Sequence, residues 1–410
     1  MITRRIFLKS SGMAMVSLGF APSFLARTAE AAGARRKLLI AIFQRGAVDG
    51  LNMIVPYGEA DYYRLRPSIA IARPGTEGAA IDLDGFFGLH PRMASLKPLW
   101  DNHSLAIVHA CGSPDSTRSH FDAQDYMETA TPGVKSTKDG WLNRYLQVAH
   151  PHDTPLTAVA VARQMPRSLQ GTAPALAMAS VGEFGVRGGM GTQDTFEQAY
   201  ARAADHVLKG TASEAFEAIR TLSARSARAY RPEHGAVYPR TPYGQALQEI
   251  ARLAKADVGL EIAFAESNQW DHHVNEGGAT GQIANRLADF ADGIAALAQD
   301  LGDRMADAII LTMSEFGRTV AENGNRGTDH GHGNAMMLIG GTVKGGTIYG
   351  AWPGLREEQR HEGRDLKITT DFRDVFGEVV MRHLGADEKT ASLVFPGYGV
   401  TPASFRKVLG

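Results

Sequence analysis

The eight residues Gly327-Thr328-Asp329-His330-Gly331-His332-Gly333-Asn334 pack one carboxylate and two imidazoles between glycines. They read equally well as a metal-binding turn and as a wet surface loop that holds histidines. A second stretch of similar chemistry is Asn268-Gln269-Trp270-Asp271-His272-His273-Val274-Asn275. There Asp271 with His273, or with His272, offers oxygen and nitrogen ligands to one ion. A third is Ser314-Glu315-Phe316-Gly317-Arg318, which follows an apolar run. A glutamate in that place is expected to be buried, and a buried carboxylate needs a cation or hydrogen-bond donors. Arg318 is one candidate partner and a metal is the other.

Two further polar clusters complete the set. In Gln44-Arg45-Gly46-Ala47-Val48-Asp49-Gly50-Leu51-Asn52, Asp49 and Asn52 sit in a glycine-flanked turn, where Asp49 can simply bond its own backbone. In Cys111-Gly112-Ser113-Pro114-Asp115-Ser116-Thr117-Arg118-Ser119-His120-Phe121, Ser119 stands before a predicted helix. Backbone N–H groups at a helix start can hold an anion, so Ser119 reads as a nucleophile with Arg118 gripping charge. It reads as a capping serine too, and the G-x-S-x-G elbow of serine hydrolases is absent. Convergence carries the functional reading, since clusters of Asp, Glu, Ser and His fall at the ends of four different predicted strands. A mixed carboxylate and imidazole set suits Zn, Mn or Fe, unlike a cysteine-rich structural site.

The strands that must position these groups are short apolar runs at 37–43, 105–110, 156–162, 260–265, 308–313 and 335–339. Helical patterns lie between them. From Thr280 to Leu301, the residues Ile283, Leu287, Phe290, Ile294, Leu297 and Leu301 recur at spacings of four and three and make one apolar face. From Asp371 to Leu384, Phe372, Val375, Phe376, Val379 and Val380 do the same, with Thr370 or Asp371 as cap. Alternating strand and helix predict an α/β sheet covered on both sides, whose strand carboxyl ends build the site. Residues 191–256 break the rhythm and predict a helical insert.

The chain has 410 residues, 44% hydrophobic and 21% charged, enough for a sizeable core. Thr3-Arg4-Arg5-Ile6-Phe7-Leu8-Lys9, an apolar stretch to Leu25 and Ala29-Glu30-Ala31 predict a cleaved twin-arginine signal over residues 1–31, and one domain over 32–410. Nothing later predicts a membrane span, so the expected location is the periplasm or outside the cell. Of 43 basic and 44 acidic residues, four basic and one acidic fall in that signal, which leaves a net charge of about −4. That balance excludes a nucleic-acid partner. The single cysteine, Cys111, excludes an internal disulfide framework.

The motifs Gly46-Ala47-Val48-Asp49-Gly50-Leu51-Asn52, Leu89-His90-Pro91, Arg118-Ser119-His120-Phe121, Asp271-His272-His273, Ser314 to Arg318 and Gly327 to Asn334, in this order, resemble the exported bacterial proteins of the DUF1501 family. The resemblance covers about residues 37–408. That family is grouped with the alkaline phosphatase and sulfatase superfamily, and the resemblance therefore implies a largely parallel sheet sandwiched between helices, with metal at the strand ends. It implies Asp49 as the first-strand metal carboxylate and Ser119 at the nucleophile position. It further implies Asp271, His273 and His332 on one ion, and Glu315, Asp329 and His330 on a second. Arg45, Asn52, Arg118, His120 and Arg318 would face the substrate. The expected function is hydrolysis of phosphate or sulfate esters with one or two divalent ions, Zn, Mn or Fe. The alternative is a non-catalytic protein of the same fold that binds an envelope polymer or a protein partner. Two departures from the superfamily pattern are the short Asp271-His272-His273 spacing and Ser314-Glu315-Phe316 after the late strand.

Overall fold

The computed structural model describes residues 36–151, 153–180 and 230–410. The signal segment and residues 191–229 of the expected insert lie outside the described residues. Nine strands form the main sheet: β1 (Leu38–Gln44), β2 (Leu105–Gly112), β3 (Ala158–Val161), β4 (Leu176–Met178), β5 (Ile262–Ser267), β6 (Ala308–Met313), β7 (Asn334–Gly340), β8 (Thr347–Tyr349) and β9 (Thr370–Asp371). The order across the sheet is β8-β2-β7-β6-β1-β5-β3-β4, with β9 also on β2. All pairings are parallel except those of β7 with β2 and β6.

The centre of the sheet explains its sequence. In β1 every residue is buried, as a strand covered on both faces requires. Leu39, Ala41 and Phe43 point into one apolar core, while Ile40 and Ile42 point into the other. The first core is closed by helices α1 (His120–Thr129), α2 (Trp141–Ala149), α5 (Phe372–Glu378) and α6 (Glu388–Val394) only in part, since α1 contributes Met127 alone. Trp141 of α2 stacks there on Phe376 of α5, 4.6 Å between ring centres. The second core is closed by α3 (Pro242–Lys255) and α4 (Gln282–Leu301), through Leu247, Ile250, Leu287, Phe290, Ile294 and Leu297.

All six predicted strands form, and α4 buries the apolar face that its spacing specifies. Asp371 caps α5 by accepting from Arg373 N. The regular turns end at Glu378, and residues 379–383 widen into a π-turn whose His383 Nε2 donates to Leu38 O at 3.0 Å. Strands β4, β8 and β9 have three residues or fewer, too short to show a period in sequence. Of the segment expected as a helical insert, the described part is a loop to Thr241 and then α3, which packs against α4. No described helix is long and apolar enough to cross a membrane.

Candidate metal centre

Registers fix where the polar segments emerge. Phe43 of β1 pairs with Glu266 of β5 and Met313 of β6, so the three strands end level at one edge. Because β7 runs the other way, the segment that precedes it arrives at that same edge. There residues 317–319 and 329–332 form a short antiparallel ladder: Thr319 N donates to Asp329 O at 2.9 Å, Gly331 N to Gly317 O at 2.8 Å and Gly317 N to His332 O at 2.9 Å. Gly331 is needed for that approach, since a Cβ on it would lie 2.3 Å from the Arg318 carbonyl carbon. Gly46 is needed for another reason. Its φ is +110°, and a Cβ there would lie 2.9 Å from Asp271 N.

Three imidazoles converge on Asp271 at this edge. His120, first residue of α1, has Nδ1 2.9 Å from Glu315 Oε1 and Nε2 3.4 Å from Asp271 Oδ2. His273 has Nδ1 3.0 Å from Asp329 Oδ1 and Nε2 3.0 Å from Asp271 Oδ1. His330 has Nδ1 2.7 Å from Arg118 O and Nε2 3.3 Å from Asp271 Oδ1. Carboxylates and carbonyls only accept, so each Nδ1 carries a proton and each Nε2 is left to face Asp271, as a donor where the ring is charged and as a metal ligand where it is neutral.

That arrangement suits a cation. The Nε2 atoms of His273 and His330 stand 2.9 Å apart, close enough to share one proton or to face one ion. His120 Nε2 is buried and has no hydrogen-bond partner. Ligand atoms of His120, Asp271 and His330 all lie within 4.8 Å of one another, the one such group among the described residues. Bonds of about 2.0–2.1 Å to a tetrahedral ion set ligand atoms about 3.3 Å apart, close to the separations here. An acceptor on the far nitrogen of every imidazole is the outer support that metal-binding histidines use. The residues present therefore fit a divalent ion.

Charge around the cluster is balanced by buried partners. Burial pushes the Asp271 carboxyl up, but Arg318, His273 and His120 reverse this and hold it below its ordinary value. Arg318, with a fully buried side chain, donates from Nη2 to Asp271 Oδ1 at 2.7 Å. Glu315 is buried as well; hydrogen bonds from His120 and Gln124 Nε2, then from Gly46 N, outweigh burial and lower its pKa. The bond to Glu315 raises the pKa of His120, while burial lowers that of His330.

The sequence profile of one family matches residues 36–392. The chain belongs to the DUF1501 family, described as proteins of unknown function. No curated protein matches it. Solved structures similar to this DUF1501 chain include the PsFucS1 sulfatase from Pseudoalteromonas sp., at 10% identity and a TM-score of 0.39 over 91% of this chain and 75% of that one. Another is the C-terminal periplasmic domain of EcEptC from Escherichia coli in complex with Zn, at 9% and 0.39 over 90% and 89%. A third is the lipoteichoic acid synthase LtaP from Listeria monocytogenes, at 10% and 0.37 over 90% and 75%.

Among the residues singled out in the sequence of this DUF1501 protein, Asp271 and His330 form the group with His120, and His273 lies beside it, its Nε2 3.0 Å from Asp271 Oδ1. Glu315 and Asp329 stand behind it, each holding an imidazole. Asp49 contributes no atom to the group. It caps residues 50–53 and is bonded by buried Arg66 at 2.5 and 3.0 Å. Asn52 accepts from the same arginine at 3.0 Å. His332 lies outside the group as well, stacked on His361 at 4.2 Å, and burial lowers its pKa to about 4. Ser119 is the N-cap of α1, its Oγ accepting from Asp122 N at 3.5 Å. Arg45 bonds Glu128 and Glu266, and Arg118 bonds Asp365 and Glu362. Gln124, Arg66 and Asn323, whose Nδ2 donates to Asp329 Oδ1 at 3.0 Å, are not marked by a motif in the sequence. Gln124 had a signal, lying one helical turn after His120 and so on its face. Arg66 had none, because it also bonds the distant Thr319 and Val320 carbonyls.

Proposed function

We propose that this DUF1501 protein is an exported metal-dependent hydrolase of phosphate or sulfate esters, working at the carboxyl edge of its sheet. The observation that carries the reading is the convergence of three imidazole Nε2 atoms on Asp271. A divalent ion held there, Zn, Mn or Fe, would supply Lewis acidity toward an ester oxygen. The protein's own groups do the rest. Arg318 compensates Asp271 from behind. Arg364, partly exposed, donates to His330 O at 2.9 Å and places a guanidinium at the rim where an anionic ester would approach. Ser119 uses an acceptor lone pair as a cap and keeps its O–H for another partner, so it stays the candidate nucleophile beside His120.

A second reading is a non-catalytic protein of this fold that binds an envelope polymer or a protein partner. The engagement of Asp49 by Arg66 favours it, because it leaves one ligand group where the resemblance implied two. Elemental analysis with an ester panel separates the readings. About one equivalent of Zn, Mn or Fe per chain, lost in His330→Ala, together with chelator-sensitive ester turnover that Ser119→Ala abolishes, supports the hydrolase. Bound metal with no turnover across phosphate and sulfate esters supports the second reading. A chain that takes up no metal overturns both the ion and the hydrolysis.

A further inference from the structure

Asp271 also forms part of the wall of a cleft that leads away from the imidazoles. Its near space, about 560 Å³, is bounded by Asp271, His272 and Asn285. Thr241, Gln269, Arg286 and Asp289 line that space and also a second one of about 1150 Å³, so the two adjoin along these residues and are taken together as one trough. The trough passes the ends of β5 and β3 and reaches Arg163 and Gln164 in the loop after β3. Pockets for small ligands run to about 1,000 Å³, so an ester of one small residue leaves most of this space empty.

The walls suit a ligand rich in hydroxyls and bearing negative charge. Gln164, Gln269 and Asn285 offer amides that both donate and accept, as sugar hydroxyls do. Two of the lining arginines are already committed, Arg45 to Glu128 and Glu266 and Arg167 to Asp125. Arg286 bonds Gln269 Oε1, and Arg163 is exposed, with no partner among the described residues. A guanidinium fork in that state matches a sulfate, phosphate or carboxylate in two-point contact. A peptide bound by strand addition would need a sheet edge to pair with. The edge strand on this side, β4, has three residues.

We propose that the trough is a binding groove for an anionic oligosaccharide, whose esterified sugar sits at Asp271 and whose following sugars reach Arg163. The place of the ester rests on the hydrolase reading; the groove does not. Titration calorimetry of the mature chain reads it without requiring turnover. The probes are sulfated galactan di-, tetra- and hexasaccharides and polyuronates of the same lengths. Affinity is expected to rise about tenfold from di- to hexasaccharide. Arg163→Ala removes that gain while metal content and disaccharide binding stay unchanged. Whichever ladder binds tighter names the anion. Equal affinity at every length, a gain that survives Arg163→Ala, or tighter binding of a poly-glutamate peptide of matched charge overturns the groove. Length-dependent binding without release of sulfate or phosphate upholds the groove and removes hydrolysis; ester turnover without length dependence does the reverse.

Discussion

Glu315 touches the cluster only through His120, which makes it the sharpest test at the scale of single residues. Glu315→Gln keeps the shape but weakens the acceptor that orients the His120 ring, and outer-shell changes of this kind cost about 10–100-fold in metal affinity. Competition titration with a chromogenic chelator measures it; unchanged affinity would mean that Glu315 serves packing alone. Asp271→Asn is expected to lose more, since it removes the carboxylate that all three imidazoles face and leaves Arg318 a buried charge without its partner. At this scale the gathering of Asp271, His273 and His330 at one edge was legible, and the partners of Asp49 and His332 were not. Asp271, His273 and His330 carry ligand chemistry in plain view. Whether Asp49 faces an ion or an arginine depends on Arg66, and nothing in the Asp49 turn announces a cation from another segment.

The ladder between residues 317–319 and 329–332 presents His330, and it is held by a few backbone bonds and close glycine contacts. Gly331→Ala must push the two segments apart. The expected outcome is lost metal binding with a small change in global stability, about 1 kcal/mol, read by urea unfolding beside metal content. A Gly331→Ala protein that binds metal normally would show that the ladder yields without moving His330. A deeper change belongs to Arg66→Met, which strands Asp49 inside the protein. Removing one partner of a buried pair costs about 3–5 kcal/mol, and a urea midpoint equal to wild type would refute it. Elements with a sustained period, β1, β6 and α4, could be read from the chain because one rule governs all their residues. The 317–319 ladder could not, being too short to repeat and set by contacts between distant segments.

Taken whole, the molecule should be sensitive to mild acid through histidines remote from the site. His90 and His109 are buried, and burial lowers the pKa of each to about 4. His109 packs on Phe87 and Trp352 and bonds Ile54 O at 3.2 Å. Above pH 6.5 both states are neutral at these rings. As pH falls from there toward 4, the unfolded chain takes up protons that the folded one refuses, so stability drains away across that window. At pH 5 the loss is about 2 kcal/mol for each ring. Urea midpoints at pH 7 and pH 5 test this, and equal midpoints would refute it. The covered, largely parallel sheet was legible from alternation of strand and helix; the antiparallel course of β7 was not, because nothing within 335–339 records direction. Cys111 lies where that course brings β7 against β2, opposite Asn334, its thiol 3.6 Å from the Met336 sulfur. The lone thiol of the chain is thereby a seal on the seam that delivers the His330 segment. A maleimide added to native protein becomes a stopwatch for that seam, and any occupant that fastens His330 to Asp271 should slow its hand.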